Sequence, residues 1–465
     1  MRVRLSIPRL AFSLLCCGMA ACQRADNGRT MPAPAPPPPP AEAATHLTGT
    51  ASCSGRSCHG GLEPRAGQEI GHDEYTTWLT HDKHASAFQS LFNERSKRIA
   101  RNLGGAKQAH QDERCLSCHV TPYAAAAHAD LAKEETAFGV GCESCHGAAG
   151  KWLSAHTEAK WKDLEPRQKR AEGMIPFRSL ADLAEACVGC HVGAPPNQEN
   201  HLPLPRDVNH DLIAAGHPRL NFELDVFLDN LPPHWNQQAK ENRDGKNIHI
   251  KTWLHGQLAS AQAALELLVH RAEEKNGRPW PEFAEYDCFA CHHDLQANSW
   301  RQEPTYGAGR RPGSLPWGTW HFTMPRLLVA GLPAPDTNLL ASLDALEKLM
   351  GRAAPSRTDV LKQTRAALVA IKKKRDAITS WDSDRQAAQA WLTAFGRDER
   401  LTNAPSWDAA MQLCLALQSL DPSPAQALRT LQTNLAFPRD FDSPRSFSPA
   451  HLKELLKRLP TGARP

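Results

Sequence analysis

Tyrosine, methionine and β-branched residues are scarce in this chain. Its 465 residues include 4 Tyr and 7 Met, Val and Ile are sparse, and Ala and Leu dominate the second half. Sheets draw on β-branched and aromatic residues, whereas Ala and Leu favour helices. We therefore expect a mostly α fold, and the length predicts more than one structural unit.

The chain also lacks a strong charge of one sign. The formal net charge is +4, but the first 21 residues contain three arginines and no acid, so the remainder has 51 basic and 50 acidic residues. A nearly neutral chain is not typical of a nucleic-acid-binding protein. The short basic run Lys372 to Arg375 indicates a solvated helix face. Beyond the N-terminus no segment is apolar enough to predict a membrane span.

The N-terminus has the pattern of an export signal. A basic start is followed by an apolar stretch from Leu10 to Ala20, and Met19-Ala20-Ala21-Cys22 resembles a lipobox. We predict a signal peptide over 1–21, lipidation of Cys22 and a Pro-rich tether over 22–48. Ordinary signal-peptidase cleavage is the alternative. The prediction is an exported, periplasmic lipoprotein, anchored to the outer membrane.

Fourteen cysteines would ordinarily indicate disulfides in an exported protein. Their spacing indicates otherwise, because four pairs are two residues apart and each is followed by His. The four motifs are Cys115-Leu-Ser-Cys118-His119, Cys142-Glu-Ser-Cys145-His146, Cys187-Val-Gly-Cys190-His191 and Cys288-Phe-Ala-Cys291-His292. This is the attachment pattern of haem c.

The motif has a chemical reason. Thiols one helical turn apart can each add to a haem vinyl group, while the adjacent His ligates the iron from one side. Zinc ribbons and thioredoxin-like redox pairs also use CxxC, but neither requires the trailing His. Haem attachment is therefore the favoured interpretation.

A fifth candidate has a wider spacing. In Cys53-Ser-Gly-Arg-Ser-Cys58-His59, four residues separate the cysteines. A disulfide loop beside a surface His is the alternative, but potential ligands follow at His81 and His84. We predict about five haems c, with one iron ligand each from His59, His119, His146, His191 and His292.

The order of motifs resembles the cytochrome c554 family of multihaem electron carriers. The matching stretches are the first haem site, Trp78 to Ala85, CLSCHVT from Cys115 and CESCHGAAGKWLSAH from Cys142. The chain differs in its wider first spacing, its motif at Cys288 and the long region beyond Pro333.

The resemblance implies a helical body of close haems whose second axial ligands come from other sites. It implies that His84 serves the haem of His146 and that His156 serves the haem of His59. It also implies that the haem of His119 is the five-coordinate one, with an open iron.

The remaining distal ligands are predicted from the residues. Seventeen histidines lie outside the motifs and Met is rare, so bis-His coordination is favoured over His/Met. His210 and His217 flank a short apolar turn, and we assign them to the haems of His191 and His292. A pair of surface histidines is the alternative. His234 is a weaker candidate, and His119 has no assigned partner.

The downstream region is predicted to be helical. We expect a pentahaem domain over 49–332 and a helical region over 333–465, as a cap or docking surface. Helix starts are predicted near Asp336, Ser356, Ser406 and Ser448. Cys414 is expected to be a buried small residue, and His255 and His270 to lie off the buried stripe of a helix over 252–273.

The leading functional hypothesis is electron transfer between redox proteins or within a respiratory complex, without an enzyme activity. The alternatives are an oxidoreductase acting on a small nitrogen or sulfur compound at an open iron on His119, and a structural haem subunit of a larger complex. The motif at Cys288 is expected to act as a port for electrons.

Overall fold

The protein is mostly α-helical, as expected. A computed structural model describes residues 46–68, 70–122, 129–177, 179–197, 202–234, 247–273, 277, 279–293, 297, 313–331, 335–378, 385–398, 401, 406–420, 425–436 and 447–459. Across these residues there is no sheet, and extended pairing is limited to isolated bridges such as Ala194 with Arg206.

The first half is built from short helices joined by turns. They are α1 (Glu74–His81), α2 (Glu94–Asn102), α3 (Glu113–His119), α4 (Ala129–Ala137), α5 (Cys142–His146), α6 (Pro166–Ala171), α7 (Leu180–His191), α8 (His210–Ala214) and α9 (Leu224–Asn230). A short 3-10 helix, Thr50–Cys53, precedes α1, and others lie between the α-helices at Lys83–Ser86, Gln89–Phe92, Ala109–Gln111, Ala155–Thr157 and Ala159–Trp161. Three of these α-helices, α3, α5 and α7, end on a motif histidine.

The second half has longer helices. They are α10 (Ile248–Ala272), α11 (Thr323–Ala330), α12 (Thr337–Met350), α13 (Arg357–Ile378), α14 (Arg385–Arg397), α15 (Trp407–Leu420), α16 (Ala425–Leu435) and α17 (Pro449–Lys457). Two 3-10 turns, Phe283–Glu285 and Cys288–Ala290, precede α11.

The predicted starts of four downstream helices are confirmed. The residue immediately before α12 is Asp336. In the same way, α13, α15 and α17 follow directly after Ser356, Ser406 and Ser448. Each side-chain oxygen accepts a hydrogen bond from a backbone N–H of the first turn. These bonds satisfy donors that have no partner within the helix.

Helix α10 is buried almost all round. Its predicted stripe, which includes Leu254, Leu258 and Leu265, is at most 1% exposed. The expectation that His255 and His270 lie off the buried surface is wrong, since both are buried. The reason is that α7, α9, α13 and α15 all pack against this helix, so it has no solvent face.

One hydrophobic core joins α7 and α10 to the downstream helices, and it includes Cys414, whose predicted burial is confirmed. This core contains residues on both sides of position 333, where a domain boundary is expected. The boundary itself stays a prediction. Around the first three motifs the apolar clusters are small, for example Ala149, Trp152 and Trp161. The folded chain there surrounds a cavity.

Several predictions lie outside the described residues. These are the signal peptide over 1–21, lipidation at Cys22, and the tether as far as residue 45. No helix in the described part of the chain combines the length and apolarity of a membrane span.

Candidate haem-binding site

A large cavity collects the side chains of four motifs. Its volume is about 2310 Å³. The motif residues that line it are Cys53, Cys58, His59, Cys115, Cys118, His119, Cys142, Cys145, His146, Cys187, Cys190 and His191. Motifs that span almost 140 residues of sequence therefore share one interior space.

Helical structure explains how three of these motifs present their groups. In α3, α5 and α7 the two cysteines are three residues apart, so both thiols lie on one face of the helix. The His is the last helical residue in each case. Asp112 and Ser179 cap α3 and α7 at their N-termini through side-chain hydrogen bonds.

The first motif follows a different path. Cys53 ends a 3-10 helix, and the chain then turns so that Cys58 N donates to Gly55 O at 2.8 Å. This turn accommodates the two additional residues between the cysteines. Cys53 and Cys58 are both free thiols, so the disulfide alternative is not realised in the structure.

The fifth motif lies apart from the cavity lining. Cys288 to Ala290 form a 3-10 turn that Asp287 caps by accepting from Phe289 N at 3.0 Å. Cys291 and His292 are exposed to solvent.

Two predicted distal histidines face a motif histidine at a distance that suits a shared iron. The ring centres of His59 and His156 are 6.3 Å apart with planes 13° apart, and those of His210 and His292 are also 6.3 Å apart. Imidazoles on opposite sides of one metal, with metal–nitrogen bonds of about 2 Å, have ring centres roughly 6 Å apart. Both pairs fit a bis-His haem.

The resemblance implied that His84 serves the haem of His146, but in the structure His84 lies beside His191, the histidine of the fourth motif. Its ring centre is 6.0 Å from that of His191, in an edge-on arrangement. His234 lines the cavity with His146, and its charge adds to the effect of burial in lowering the pKa of His146 to about 4. The structure thus brings His84 to the fourth motif and His234 to the third.

His217 lines the cavity with His119, the motif histidine that had no assigned partner. The pKa of His217 is lowered by burial, and the positive charge of His119 adds to the shift. The two imidazoles therefore face the same cavity. Three motif histidines, His59, His191 and His292, thus have a second histidine ring 6.0 or 6.3 Å away, and His119 and His146 share the cavity with their candidate partners.

Several of these imidazoles are oriented by hydrogen bonds at Nδ1. Glu74 and Asp82 lie 2.9 Å from Nδ1 of His59 and His84, and both carboxylates raise the pKa of the imidazole that they contact. Backbone carbonyl oxygens contact Nδ1 of the other anchored rings, which are those of His119, His156 and His217. Such partners fix the tautomer and leave Nε2 available to a metal.

Sequence reasoning missed His72. Its ring centre is also 6.3 Å from that of His59, and its Nδ1 lies 2.6 Å from Cys58 O. His72 has φ +64, an uncommon conformation for a residue other than glycine. Its position 13 residues after His59 was the only sequence signal available. The contact with Cys58 O shows that His72 supports the turn of the first motif.

Two buried carboxylates, also missed, connect the first motif to the third. Glu143 accepts from Gly49 N at 2.8 Å and from Ala149 N at 2.6 Å. Glu135 accepts from the backbone N–H and the hydroxyl of Thr50 at 2.7 and 2.8 Å. Burial raises the pKa of Glu143. These bonds hold residues 48–50 against the segment that carries Cys142.

Thiols from different motifs meet within the cavity. The Cys142 thiol is near enough to Cys53 to lower the pKa of Cys53. Cys118 is near enough to Cys190 to lower the pKa of Cys190. Burial raises the pKa of Cys187 to about 12, and the nearby Cys145 adds to the shift. Motif one thus adjoins motif three, and motif four adjoins motifs two and three.

Cationic groups at the cavity wall suit the propionates of haem. Lys169 lines the cavity and is 6% exposed as a residue. An ammonium at the wall of this largely apolar cavity would be a favourable neighbour for a propionate. Arg206, held by Ser117 O at 2.9 Å, also lines the cavity beside Cys118 and Cys190.

A buried ion pair ties the cavity wall to the downstream helices. Arg219, two residues after His217, pairs with Asp408 of α15 through two bonds of 2.6 and 2.9 Å. Thr319 donates to the same carboxylate at 2.5 Å. Trp320, just before α11, lies against Trp407 of α15, with ring centres 6.4 Å apart.

The thiol and imidazole sets fit covalently bound haem, which defines the protein as a c-type cytochrome with a role in electron transfer. Residues 52–147, about a fifth of the chain, match the family model described as cytochrome c554 and c-prime. This is the family that the motifs resemble. Neither a curated protein nor a solved structure matches the chain.

Proposed function

We propose that this cytochrome carries electrons between redox partners through five covalently bound, bis-His haems c. The observation that supports this most directly is that three motif histidines have a second histidine ring 6.0 or 6.3 Å away, while the other two share the cavity with a candidate partner. Bis-His ligation favours electron transfer over binding of an external ligand, since both axial positions are taken by protein. The haems supply one-electron chemistry, and the chain supplies attachment, orientation and control of potential.

The contacts between motifs suggest an order for the relay. Motif one adjoins motif three through Cys53 and Cys142, and motif two adjoins motif four through Cys118 and Cys190. Motifs three and four meet through Cys145 and Cys187. The relay that follows is one, three, four, two, with the fifth haem beyond the second.

The solvent exposure of their cysteines favours motifs one and five, the two ends of this order, as the sites where electrons enter and leave. Cys58 of motif one and Cys291 of motif five are exposed, whereas the other motif cysteines are partly buried. A partner protein must bring its own cofactor close to a haem edge, and exposed attachment cysteines allow that approach. The partner class is a redox protein or respiratory complex.

Localisation belongs to the same proposal. The basic and apolar N-terminus, Cys22 and the Pro-rich tether favour a periplasmic lipoprotein anchored to the outer membrane. Haem attachment through CxxCH motifs agrees with export.

The test is a count of electrons transferred. Fully reduced protein, purified after export from a host that attaches haem c, is mixed with an excess of an oxidised soluble monohaem cytochrome c. We expect close to five electron equivalents per chain, delivered reversibly. Delivery of one equivalent or fewer, with the remaining haem unreactive, would contradict a relay.

A variant with Cys288→Ser and Cys291→Ser serves as the matched control. It removes the attachment site outside the cavity, so the yield should fall by one equivalent while the other haems still exchange electrons. An unchanged yield would show that the fifth motif carries no haem.

A further inference from the structure

The segment that carries His217 is held directly against α2. Arg95 Nε donates to Gly216 O at 2.9 Å, and Asn102 Nδ2 donates to Ala215 O at 3.0 Å. Gly216 has φ +119, a conformation that favours glycine, and packs over Ile99. Three residues of one helix therefore fix the backbone on the N-terminal side of His217.

The same stretch of chain holds His119. Ser90 Oγ and Ala87 O lie 3.2 and 3.0 Å from His119 Nδ1. Ser96, in the first turn of α2, donates to Ser90 O at 2.8 Å. Residues 87–102 thus position both imidazoles, although His119 and His217 are almost a hundred residues apart in sequence.

Both rings have the tautomer that a metal ligand requires. The Nδ1 atom of His217 lies 2.8 Å from Pro218 O, and that of His119 contacts only acceptors and a hydroxyl. An Nδ1–H that donates to a carbonyl leaves the lone pair on Nε2. Both side chains line the same cavity.

We infer that His217 is the second axial ligand of the iron held by His119. This inference rests on the proposed function, because it requires haem on Cys115 and Cys118. It differs from the resembled family, whose second haem is five-coordinate. It also removes the open iron that an oxidoreductase acting on a small nitrogen or sulfur compound would need at this position.

The assignment gives α8 a role in the relay. His210 at its start faces His292 of the fifth motif, and His217 follows shortly after its end. One short segment would then ligate both the second and the fifth haem. This connection places the fifth haem next to the second in the relay.

The test is the spin state of the ferric protein by electron paramagnetic resonance and visible absorption, with carbon monoxide binding by the reduced protein. Wild-type protein should contain only low-spin haem and should not bind carbon monoxide. His217→Gly should convert one haem to high spin and bind one equivalent of carbon monoxide, and added imidazole should restore the low-spin signal. His451→Gly, at an exposed histidine of α17, should behave as wild type.

A high-spin haem in wild-type protein that His217→Gly leaves unchanged would overturn the inference. If His217→Gly fails to fold, His217→Met provides the second variant, and one haem should then acquire the spectrum of His/Met coordination. An unchanged His217→Met spectrum would also overturn it. The absence of covalent haem on Cys115 and Cys118 would instead contradict the proposed function, so the two failures are distinguishable.

Discussion

At the scale of single residues, the groups around the imidazoles and propionates decide the properties of each haem. A carboxylate at Nδ1 makes an imidazole more basic and favours the oxidised iron, whereas a nearby cation favours the reduced iron. His84 has the first kind of partner in Asp82, and the cavity has the second kind of group in Lys169. These positions allow the potentials of individual haems to be changed one at a time.

Lys169→Gln should lower the midpoint potential of one haem. The substitution removes a positive charge at the cavity wall, and the ferrous state loses more stabilisation than the ferric state. Spectroelectrochemical titration is the measurement. Lys162→Gln, at an exposed lysine on the same cavity, should have a much smaller effect. Equal titration curves for all three proteins would contradict a propionate near Lys169.

Asp82→Asn should raise the midpoint potential of one haem. The amide oxygen can still accept from Nδ1 of His84, but the negative charge that supports the oxidised iron is lost. The same titration measures the shift, with Asp163→Asn at an exposed position as control. If Asp82→Asn, like the Asp163→Asn control, leaves every midpoint potential unchanged, His84 is not an axial ligand.

At the scale of elements, each motif is presented by a short capped helix or turn, and hydrogen bonds between segments hold the motifs together. The segments of the first and third motifs pack very closely at Gly141, which precedes α5. A Cβ at this position would lie 2.0 Å from Thr50 Oγ1 and 2.7 Å from a Glu135 carboxylate oxygen. The junction between the first and third motifs therefore has no room for a side chain.

Gly141→Ala should destabilise the protein by about 1–3 kcal/mol, the usual cost of adding a methyl group to a tightly packed interior. Thermal unfolding followed at the haem absorbance and by circular dichroism would measure it. Gly105→Ala is the control, because its nearest contact would be an arginine nitrogen 3.5 Å away. A Tm for Gly141→Ala equal to that of the control would contradict the close packing of these motifs.

Elements of the second half were predictable because their signals are local. Asp336, Ser356, Ser406 and Ser448 are capping residues next to apolar repeats, and the helices begin after them. The motif cysteines and histidines are equally local. The partners of His84 and His234 depend on contacts between distant segments, for which spacing carries no information. The burial of His255 was missed because it comes from α13 packing on a second face of α10.

At the scale of the whole molecule, a cavity lined by four motifs lies beside a continuous helical core. The first half has few aliphatic residues to fill its interior, and the second half supplies α13 and α15 as cover for α10. Arg219 and Asp408 connect the two parts through a buried pair. The downstream helices therefore contribute to the stability of the haem-bearing part.

A chain that ends at residue 332 should fail to accumulate as soluble protein. Its loss of α13 and α15 exposes the apolar faces of α10, including Leu258 and Leu265, which are fully buried in the intact chain. Soluble yield and haem absorbance after export are the measurements. A chain that ends at residue 459 is the control. Full yield and haem content in the shorter chain would show that the region over 49–332 folds independently.

The most direct test of the account is the intact mass of the mature protein, exported from a host that attaches haem c. Five haem additions are predicted, with one addition lost when the cysteines of any single motif are replaced by serine. Four additions, with no loss on replacing Cys53 and Cys58, would remove the first site and the start of the proposed relay. A mature chain without any haem addition would contradict the assignment of these cysteines and histidines to haem c.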